Sequence, residues 1–332
     1  NLKKLILLKI YNTVRIFKTL KSISNYTKNS VLVIGNFDGV HKGHQKIIQS
    51  AKKIASKSNS GVGVLLFDPH PKTFFNKNKK SFLLTNIENR YEILKSYGVD
   101  YIVVVRFSSN FSKMSPSNFC KKILSSGIKM NHILVGKNFR FGNKRVGDYK
   151  FLKNFGVKNN FNVSPIDIFK LPKSYLAYVK RNAYSSSNIR KLINNGHIKL
   201  ASKFLGRPWF IQGKVIKGDK RGRTIGIPTA NISLDGYISP KYGVYAVNVE
   251  IIKKKQSGKL LKGIANFGVR PTFNKKKAIL EVYLFDFDLN IYQSTLKVTF
   301  IDFIRKEKKF SGIKSLKQQL NKDISKATRI LI

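Results

Sequence analysis

Two histidines that lie three residues apart in a glycine-containing segment are the side chains best suited to chemistry in this sequence. His41 and His44 end the run Val-Leu-Val-Ile-Gly-Asn-Phe-Asp-Gly-Val-His-Lys-Gly-His of residues 31–44. A strand that leads through a loop with glycines into a helix N-terminus offers backbone N–H groups to an anion. The segment therefore predicts a phosphate-binding site, and a surface turn with solvated histidines is the alternative.

The elements expected on either side of this loop favour the phosphate site. Val31 to Ile34 is a four-residue apolar run, which is typical of a buried parallel strand. Gly43 opens a segment in which apolar residues recur at helical spacing. The apolar residues of this predicted helix are Ile47, Ile48, Ala51, Ile54 and Ala55.

Three further segments carry rigid or polar residues where a predicted strand ends or a helix begins. Phe67-Asp68-Pro69-His70-Pro71 ends the second predicted strand, because prolines do not continue a strand ladder. Val135 to Gly142 leaves the fourth predicted strand and carries Asn138. Ser185 to Arg190 begins a helix with capping hydroxyls, and its arginine opposes the helix dipole, which is explained if it holds phosphate. Loops at the carboxyl ends of parallel strands are where such sheets bind ligands.

A second glycine-rich segment lies in the last third of the chain. Its glycines let backbone amides approach a triphosphate closely. Thr229 and Asn231 point to the same face of an extended segment, and their side-chain oxygens suit Mg²⁺. A turn without a ligand is the alternative. The other residues of this candidate site are Gly213, Gly218, Gly222 and Arg223.

Glu281 is an acid within an apolar strand segment and shares a face with Tyr283 and Phe285. Such an acid usually pairs with a basic neighbour. The transfer of a phosphoryl group to a sugar hydroxyl, however, needs a positioned base. Glu281 is therefore a candidate general base, with an ion pair as the alternative.

The composition limits the classes of protein to which the chain can belong. Its 332 residues carry a net charge of +48, from 64 Lys+Arg and 16 Asp+Glu. The basic residues are spread along the whole chain, which favours a compositional bias towards lysine over a nucleic-acid-binding stripe. A single cysteine, Cys120, excludes an intrachain disulfide and fits a reducing cytoplasm. Neither a signal peptide nor a membrane span is expected.

The hydrophobic pattern predicts an α/β domain followed by an all-β domain. Apolar runs alternate with helical periodicity from residue 31 to about 200, which indicates a doubly wound parallel sheet. After Leu205, short strands between glycines indicate a β-barrel or sandwich, and a helix is expected over 315–330. The predicted division is an N-terminal extension of uncertain status over 1–14, a first domain over 15–202 and a second over 203–332.

Taken in order, these motifs resemble the bacterial family of bifunctional riboflavin kinase/FAD synthetases. The resemblance covers residues 15–332 and includes Ala265 to Phe273 and Leu280 to Phe287. It implies a Rossmann-like nucleotidyltransferase domain that adenylylates FMN to FAD, and a C-terminal riboflavin-kinase β-barrel with a terminal helix that phosphorylates riboflavin to FMN. It also implies ATP as co-substrate and Mg²⁺ as cofactor. We expect riboflavin, FMN, FAD and ATP as ligands, no stable nucleic-acid or membrane partner, and self-association that is weak at most.

The resemblance also assigns roles to individual residues. Two of them depart from the usual pattern: Asn138 stands where many relatives have Asp, which affects a metal contact, and Ser187 replaces a frequent threonine but keeps the hydroxyl. For adenylylation, ATP would contact Gly35, Asn36, Phe37, Asp38, His41, His44, Asn138, Ser185, Ser186, Ser187 and Arg190. FMN would lie by Phe67, Pro69, His70, Pro71 and Arg90. In the kinase, ATP would contact Gly213, Gly218, Gly222 and Arg223, Mg²⁺ would be held by Thr229 and Asn231, and Glu281 would be the base.

Two other functions are compatible with parts of the sequence. A related nucleotidyltransferase fused to an unrelated β domain would keep the histidine loop but would not need the Pro-Thr-Ala-Asn segment or Glu281. A nonenzymatic RNA-binding protein would show steeply salt-dependent binding without flavin turnover. Lys113-Met114-Ser115 resembles the start of the lysine-rich loop of aminoacyl-tRNA synthetases. However, Pro116 stands in place of the second lysine, and Ser115-Pro116 predicts a helix N-cap followed by proline at the first helical position.

Overall fold

The computed structural model describes residues 14–21, 23–76, 81–216, 226–252, 260–272 and 275–332. The contacts divide the chain into two compact units. The first unit comprises Asn1–Lys79, Asn86–Lys173 and Asn182–Tyr184, and the second comprises Lys80–Thr85, Ser174–Arg181 and Ser185–Ile332. The predicted extension over 1–14 lies outside the described residues, apart from Val14.

The first unit is built on a six-stranded parallel sheet, as the alternation of apolar and helical segments predicted. Its strand order is β1-β5-β3-β2-β6-β9, and all neighbouring strands are parallel. The central strand β2 is buried at all four residues, which agrees with its continuous apolar run. The strands of the sheet are β1 (Arg15–Phe17), β2 (Val31–Ile34), β3 (Val62–Asp68), β5 (Tyr101–Arg106), β6 (His132–Gly136) and β9 (Asn162–Ile166). A separate hairpin pairs β7 (Arg140–Phe141) with β8 (Gly147–Asp148).

Helices connect the strands of the first unit, and side-chain caps define where several of them begin. The structure confirms the predicted cap at Ser115, whose Oγ accepts a hydrogen bond from the Asn118 N–H, with Pro116 as the first helical residue. The helix after the histidine loop begins at Lys42, one residue before the predicted start. The helices are α1 (Ser24–Thr27), α2 (Lys42–Lys57), α3 (Pro71–Phe75), α4 (Ile87–Ser96), α5 (Ser109–Ser112), α6 (Pro116–Asn118), a π-helix (Phe119–Ile128) and α7 (Tyr149–Lys158).

The second unit is built on a closed antiparallel barrel in the order β10-β11-β15-β14-β13-β16. The structure thus selects the barrel over the sandwich that the sequence left open. Trp209 and Phe300 are fully buried, with ring centroids 4.7 Å apart. The strands are β10 (Trp209–Ile216), β11 (Ala230–Ile232), β13 (Gly243–Ile252), β14 (Leu260–Thr272), β15 (Lys275–Leu284) and β16 (Thr295–Arg305).

Two segments outside the barrel complete the second unit. β4 (Ser81–Leu83) pairs in parallel with β12 (Gly236–Tyr237), and the Trp209 indole N–H donates to the Leu84 carbonyl oxygen at 3.1 Å. Helices α8 (Ser186–Asn194) and α9 (Ile198–Leu205) belong to the same unit. The sequence places α8 and the first part of α9 in the domain over 15–202, and the predicted boundary between residues 202 and 203 stays a prediction.

The terminal helix α10 (Ile313–Ile330) packs on the barrel and is held there by a buried ion pair. The Arg305 guanidinium, at the end of β16, donates to both carboxylate oxygens of Asp323 at 2.8 to 2.9 Å. The Asp323 side chain is only 2% exposed, and Gln319 also donates to it. Removal of the Asp323 charge would therefore leave the Arg305 guanidinium, whose side chain is only 20% exposed, without the carboxylate that its Nε and Nη2 contact.

We expect Asp323→Asn to destabilise the second unit by about 3 kcal/mol or more, because Arg305 would lose its counter-charge. The matched control is Asp302→Asn, which breaks the pair with Lys199, whose side chain is 65% exposed. That change should cost less than about 1 kcal/mol. Urea unfolding followed by Trp209 fluorescence measures this unit alone, because Trp209 is the only tryptophan in the chain. Equal losses in the two variants would contradict the assignment.

Candidate active sites

The predicted histidine loop lies directly at the carboxyl end of β2, between that strand and α2. His41 is the N-cap of α2, and its Nδ1 accepts a hydrogen bond from the His44 backbone N–H at 3.4 Å. In a neutral ring this leaves the proton of His41 on Nε2. The His41 and His44 rings are stacked, with centroids 3.7 Å apart. The structure thus brings the two histidines together at a helix N-terminus, as the spacing predicted.

Gly43 allows this close approach. A Cβ atom at position 43 would lie 3.1 Å from the His41 ring and 3.1 Å from the Tyr184 carbonyl oxygen. Such distances are tighter than nine in ten real Cβ contacts, so with any other residue the His41 ring or the Tyr184 backbone would have to move by a few tenths of an ångström. Packing therefore favours glycine at position 43, independently of the ligand expected at this loop.

The environment of His44 keeps its imidazole neutral. Burial of the ring, the adjacent His41 and the Arg90 guanidinium, in that order, hold the pKa of His44 well below its usual value. Its Nδ1 is buried, and no described residue forms a hydrogen bond with it. The Oδ1 of Asn36, in the same loop, is likewise buried without a hydrogen-bond partner among the described residues. Buried polar atoms of this kind are expected where a ligand supplies the missing partner.

The loop that follows β3 forms a rim rich in aromatic residues. His70 is the N-cap of α3, and its Nδ1 accepts from the Lys72 N–H at 3.1 Å. The Phe67 ring packs 5.6 Å from Phe111, and Phe107 contacts several of the same rings. Phe75 stands at the edge of this cluster and is 69% exposed. The sequence prediction named Phe67, Pro69, His70 and Pro71, but it missed Phe74, Phe75, Phe107 and Phe111.

Asn138 lies at the carboxyl end of β6, two residues beyond Gly136, and its side chain is exposed. Asp148 lies across the β7–β8 hairpin, where Arg140 donates to it at 2.8 Å. The Phe151 N–H and Arg140 hold the pKa of the Asp148 carboxyl below its usual value. Because its Oδ1 accepts a hydrogen bond from the Phe151 N–H, Asp148 is also the N-cap of α7.

The segment Ser185 to Arg190 belongs to the second unit, whereas His41 and His44 belong to the first. Ser185 is the N-cap of α8, as predicted, and its Oγ accepts from the Asn188 N–H. The Arg190 side chain is 9% exposed; its Nε donates to the Phe82 carbonyl oxygen at 2.8 Å, and its guanidinium lies 3.7 Å from the Phe82 ring centroid. These contacts with Phe82 offer a structural explanation for an arginine near the beginning of α8. The role of this segment towards ATP stays a prediction.

The second candidate site lies on the barrel, where strand pairing brings three polar residues into register. Asn231 of β11 is opposite Glu281 of β15, and Glu281 is opposite Asn266 of β14. The Asn231 side chain is 5% exposed, and its Oδ1 has no hydrogen-bond partner among the described residues. The cross-strand neighbours of Glu281 are thus amides and not lysines.

A cavity of about 880 Å³ opens at the same end of β11 and β15. Thr229, which precedes β11, and Ala230 of β11 line it on one side, and Val282 of β15 lines it on the other. The turn after β15 supplies most of the remaining wall, from Asp286 to Tyr292. Only Asp286 and Phe287 of this turn lie in a motif named from the sequence, although the Asp-Phe-Asp-Leu-Asn run of residues 286–290 is a polar interruption of the strand pattern.

The predicted glycines of the kinase site divide into two groups. Gly213 lies within β10, where a Cβ atom would come within 2.6 Å of the Ile232 side chain, so strand packing requires this glycine. Gly218, Gly222 and Arg223 lie outside the described residues.

The comparisons with known proteins agree with the two-unit architecture. The family model described as FAD synthetase matches residues 23–175, and the one described as riboflavin kinase matches residues 205–331. This order defines the class, an enzyme with an FAD synthetase domain followed by a riboflavin kinase domain. The bifunctional riboflavin kinase/FMN adenylyltransferase of Buchnera aphidicola subsp. Schizaphis graminum is 41% identical over 92% of this chain and 96% of its own length. The chain belongs to the bifunctional riboflavin kinase/FMN adenylyltransferase family, and ATP is its co-substrate.

Two further relatives extend the comparison. The bifunctional riboflavin kinase/FMN adenylyltransferase of Bacillus subtilis is 37% identical over 90% of this chain and 92% of its own length. A crystal structure from Streptococcus pneumoniae, named a macrolide-efflux protein, superimposes with a TM-score of 0.81 at 32% identity and covers 94% of this chain and 97% of that one. Among the described residues of this chain, none of the helices is long and apolar enough to cross a membrane.

We expect nitrogen NMR of the imidazole rings to show His44 neutral at pH 6.5. Protonation should begin only at lower pH, because burial, His41 and Arg90 all disfavour the charged ring. The His44→Gln variant identifies the signal by its loss. A His44 ring that is largely cationic at pH 6.5 would contradict the electrostatic assignment.

Proposed function

We propose that the histidine loop of the first unit binds the ATP phosphates during adenylylation of FMN, and that the Asn231–Glu281 region of the barrel carries the phosphorylation of riboflavin. The observation that supports the first assignment is the pair of stacked histidines at the N-terminus of α2, next to buried polar atoms of His44 and Asn36 that have no described partner. The second assignment is supported by the buried Oδ1 of Asn231 opposite Glu281.

The chemistry of adenylylation fits a site without a general base. The FMN phosphate is already anionic at neutral pH, so it can attack the α-phosphorus of ATP without losing a proton. His41 and His44 would donate hydrogen bonds to the α-phosphate and to the departing pyrophosphate, where negative charge develops. The N–H groups in the first turn of α2 would add to this stabilisation.

The phosphorylation of riboflavin needs a base, because the attacking group is a neutral hydroxyl. Glu281 would accept the proton of the 5′-hydroxyl as the oxygen attacks the γ-phosphorus of ATP. The cavity next to Thr229 and Val282 is large enough for a nucleotide or a flavin.

Mg²⁺ fits the residues of the barrel site. Thr229 immediately precedes β11, Asn231 is its second residue, and the buried Asn231 Oδ1 is an oxygen donor without a described partner. Among the described residues, no cluster of three or more His, Cys, Asp or Glu side chains could hold a metal. Two neutral oxygen donors suit an ion that keeps water and triphosphate oxygens as its other ligands. When bound, Mg²⁺ would supply positive charge to the transferring phosphoryl group.

The aromatic rim around Phe67 is a candidate surface for the flavin ring. Phe75 is 69% exposed beside Phe74 and Phe107, and an exposed aromatic side chain is suited to stacking on a planar ligand. Pro69 and His70 follow β3 directly, and Pro71 is the first residue of α3.

The cellular setting follows from the substrates and belongs to the same proposal. ATP and flavins are available in the cytoplasm, and a single buried cysteine is compatible with that compartment. The absence of a stable nucleic-acid partner, self-association that is weak at most, and the contribution of Ser185 to Arg190 all stay predictions.

The direct test is to incubate the purified chain with riboflavin, ATP and Mg²⁺ and to separate the flavins over time. FMN should form first and FAD should follow, because the product of one site is the substrate of the other. If folded protein forms neither product, the proposed function is wrong.

We expect His44→Ala to lower the rate of FAD formation from FMN by about 10²-fold or more, the scale for loss of one transition-state donor. Riboflavin phosphorylation should be unchanged, because the barrel carries it. His132→Gln is the matched control, since His132 lies in the same sheet at the amino end of β6, where it bonds Ser164. Equal loss of both activities would indicate misfolding or a shared site.

We expect Glu281→Gln to lower the rate of riboflavin phosphorylation by about 10²-fold to 10⁴-fold, because the amide retains the volume but cannot accept the proton. Conversion of supplied FMN to FAD should continue. Glu250→Gln is the control, because Glu250 is an acid of the same barrel that pairs with Lys297 at 2.7 Å. A near-normal kinase rate per folded molecule would remove Glu281 from the mechanism.

A further inference from the structure

The loop that carries the histidines has an unfavourable backbone conformation. Phe37 and Val40 have φ angles of +50° and +41°, and neither is a glycine. Left-handed backbone is rare for bulky or β-branched residues, so the surrounding contacts must hold these two positions. Both side chains are at most 1% exposed, which shows that packing supplies part of the restraint.

Arg90 supplies a polar restraint from the neighbouring helix α4. Its Nη1 donates to the Asn36 carbonyl oxygen at 3.1 Å, and its Nη2 lies 3.8 Å from the Asp38 carboxylate. The side chains of Arg90 and Asp38 are 2% and 1% exposed. The two contacts lie on either side of Phe37. One guanidinium therefore restrains both neighbours of this residue, whose φ angle is positive.

Phe37 in turn supports the reactive side of the loop. Its ring centroid lies 4.8 Å from that of His44, and His41 stacks on the other side of the His44 ring. A change in the backbone at Phe37 would therefore move a wall of the His44 pocket. Displacements of about 1 Å in a catalytic group can cost about 10²-fold in rate.

We propose that Arg90 is a positioning residue for adenylylation, which holds the 36–38 loop and through Phe37 fixes the His44 ring. This inference rests on the proposed role of His44 in binding the ATP phosphates. Arg90 was expected from the family resemblance to lie by FMN. Its guanidinium is buried against the loop, and its expected contact with FMN stays a prediction.

The arginine is suited to this role by both shape and charge. The planar guanidinium contacts two partners in different directions, the Asn36 carbonyl oxygen by a hydrogen bond and the Asp38 carboxylate by an ion pair, which a lysine ammonium on a flexible chain does less well. Its positive charge also acts on His44: together with burial and His41 it lowers the pKa of that ring. Asp38 is the acid that faces the guanidinium, and His41 is the other titratable group against the ring.

The test compares Arg90→Met and Arg90→Lys with the control Lys95→Met. Lys95 lies on the same helix but faces a surface pocket with Lys52 and Glu92, so its loss removes a charge without touching the loop. In Arg90→Met, kcat for FAD formation should fall about 10-fold to 100-fold, while KM for FMN should change by less than about threefold. The pKa of His44 measured by NMR should rise, because one repulsive charge is gone. Riboflavin phosphorylation and the control variant should be unaffected.

Arg90→Lys separates the two contributions. It retains the positive charge, so the His44 ring should stay neutral at pH 6.5, while kcat should remain reduced because the fork of two contacts is lost. If Arg90→Met does not fold, Arg90→Lys alone decides on the same kinetic criterion.

Three results would overturn the proposal, given wild-type protein that converts FMN to FAD. A rise in KM for FMN with kcat unchanged would show that Arg90 binds the substrate. Normal kcat in a folded variant would remove the positioning role. An unchanged His44 titration in Arg90→Met would show that the guanidinium does not act on that ring. Failure of the wild-type protein to make FAD would instead contradict the proposed function.

Discussion

A parallel sheet can offer only its strand ends to a ligand, because the crossover helices pack against its faces. This constraint organises the first unit. β2, β3 and β6 are adjacent and parallel, so the loops that leave them meet at one edge of the sheet. The histidine loop, the aromatic rim and Asn138 come from those three strands in turn. The gathering of these candidate site residues at that edge is thus a consequence of strand order.

In the second unit, the closed barrel determines which candidate residues become neighbours. Closure leaves the six strands without free edges, and antiparallel pairing fixes which residues face each other. Asn231, Glu281 and Asn266 come from three strands and become neighbours only through that register. The two units therefore bring their candidate site residues together by different means, the first through loops that leave adjacent strands and the second through residues paired across strands.

The residue types agree with the two reactions of the family. The first unit presents histidines, helix N–H groups and a neutral imidazole, all of which can donate hydrogen bonds to phosphate. The barrel site presents a carboxylate between two amides. A nucleophile that is already ionised needs only stabilisation of charge, whereas a hydroxyl also needs a base, and the proposed roles of the histidines and of Glu281 follow this difference.

The sequence by itself determined the local elements and the motifs that carry chemistry. Periodicity located β2, the helix after the histidines and the caps at Ser115 and Ser185, because these depend on neighbouring residues. Tertiary structure alone decided where the remaining side chains lie. Arg190 contacts Phe82, and Arg90 holds the loop at Asn36 and Asp38, across 108 and 54 residues of chain. The position of the turn from Asp286 to Tyr292 in the wall of a cavity was likewise decided only by the tertiary structure. Such contacts depend on which elements pack together, and local sequence patterns do not indicate which elements these will be.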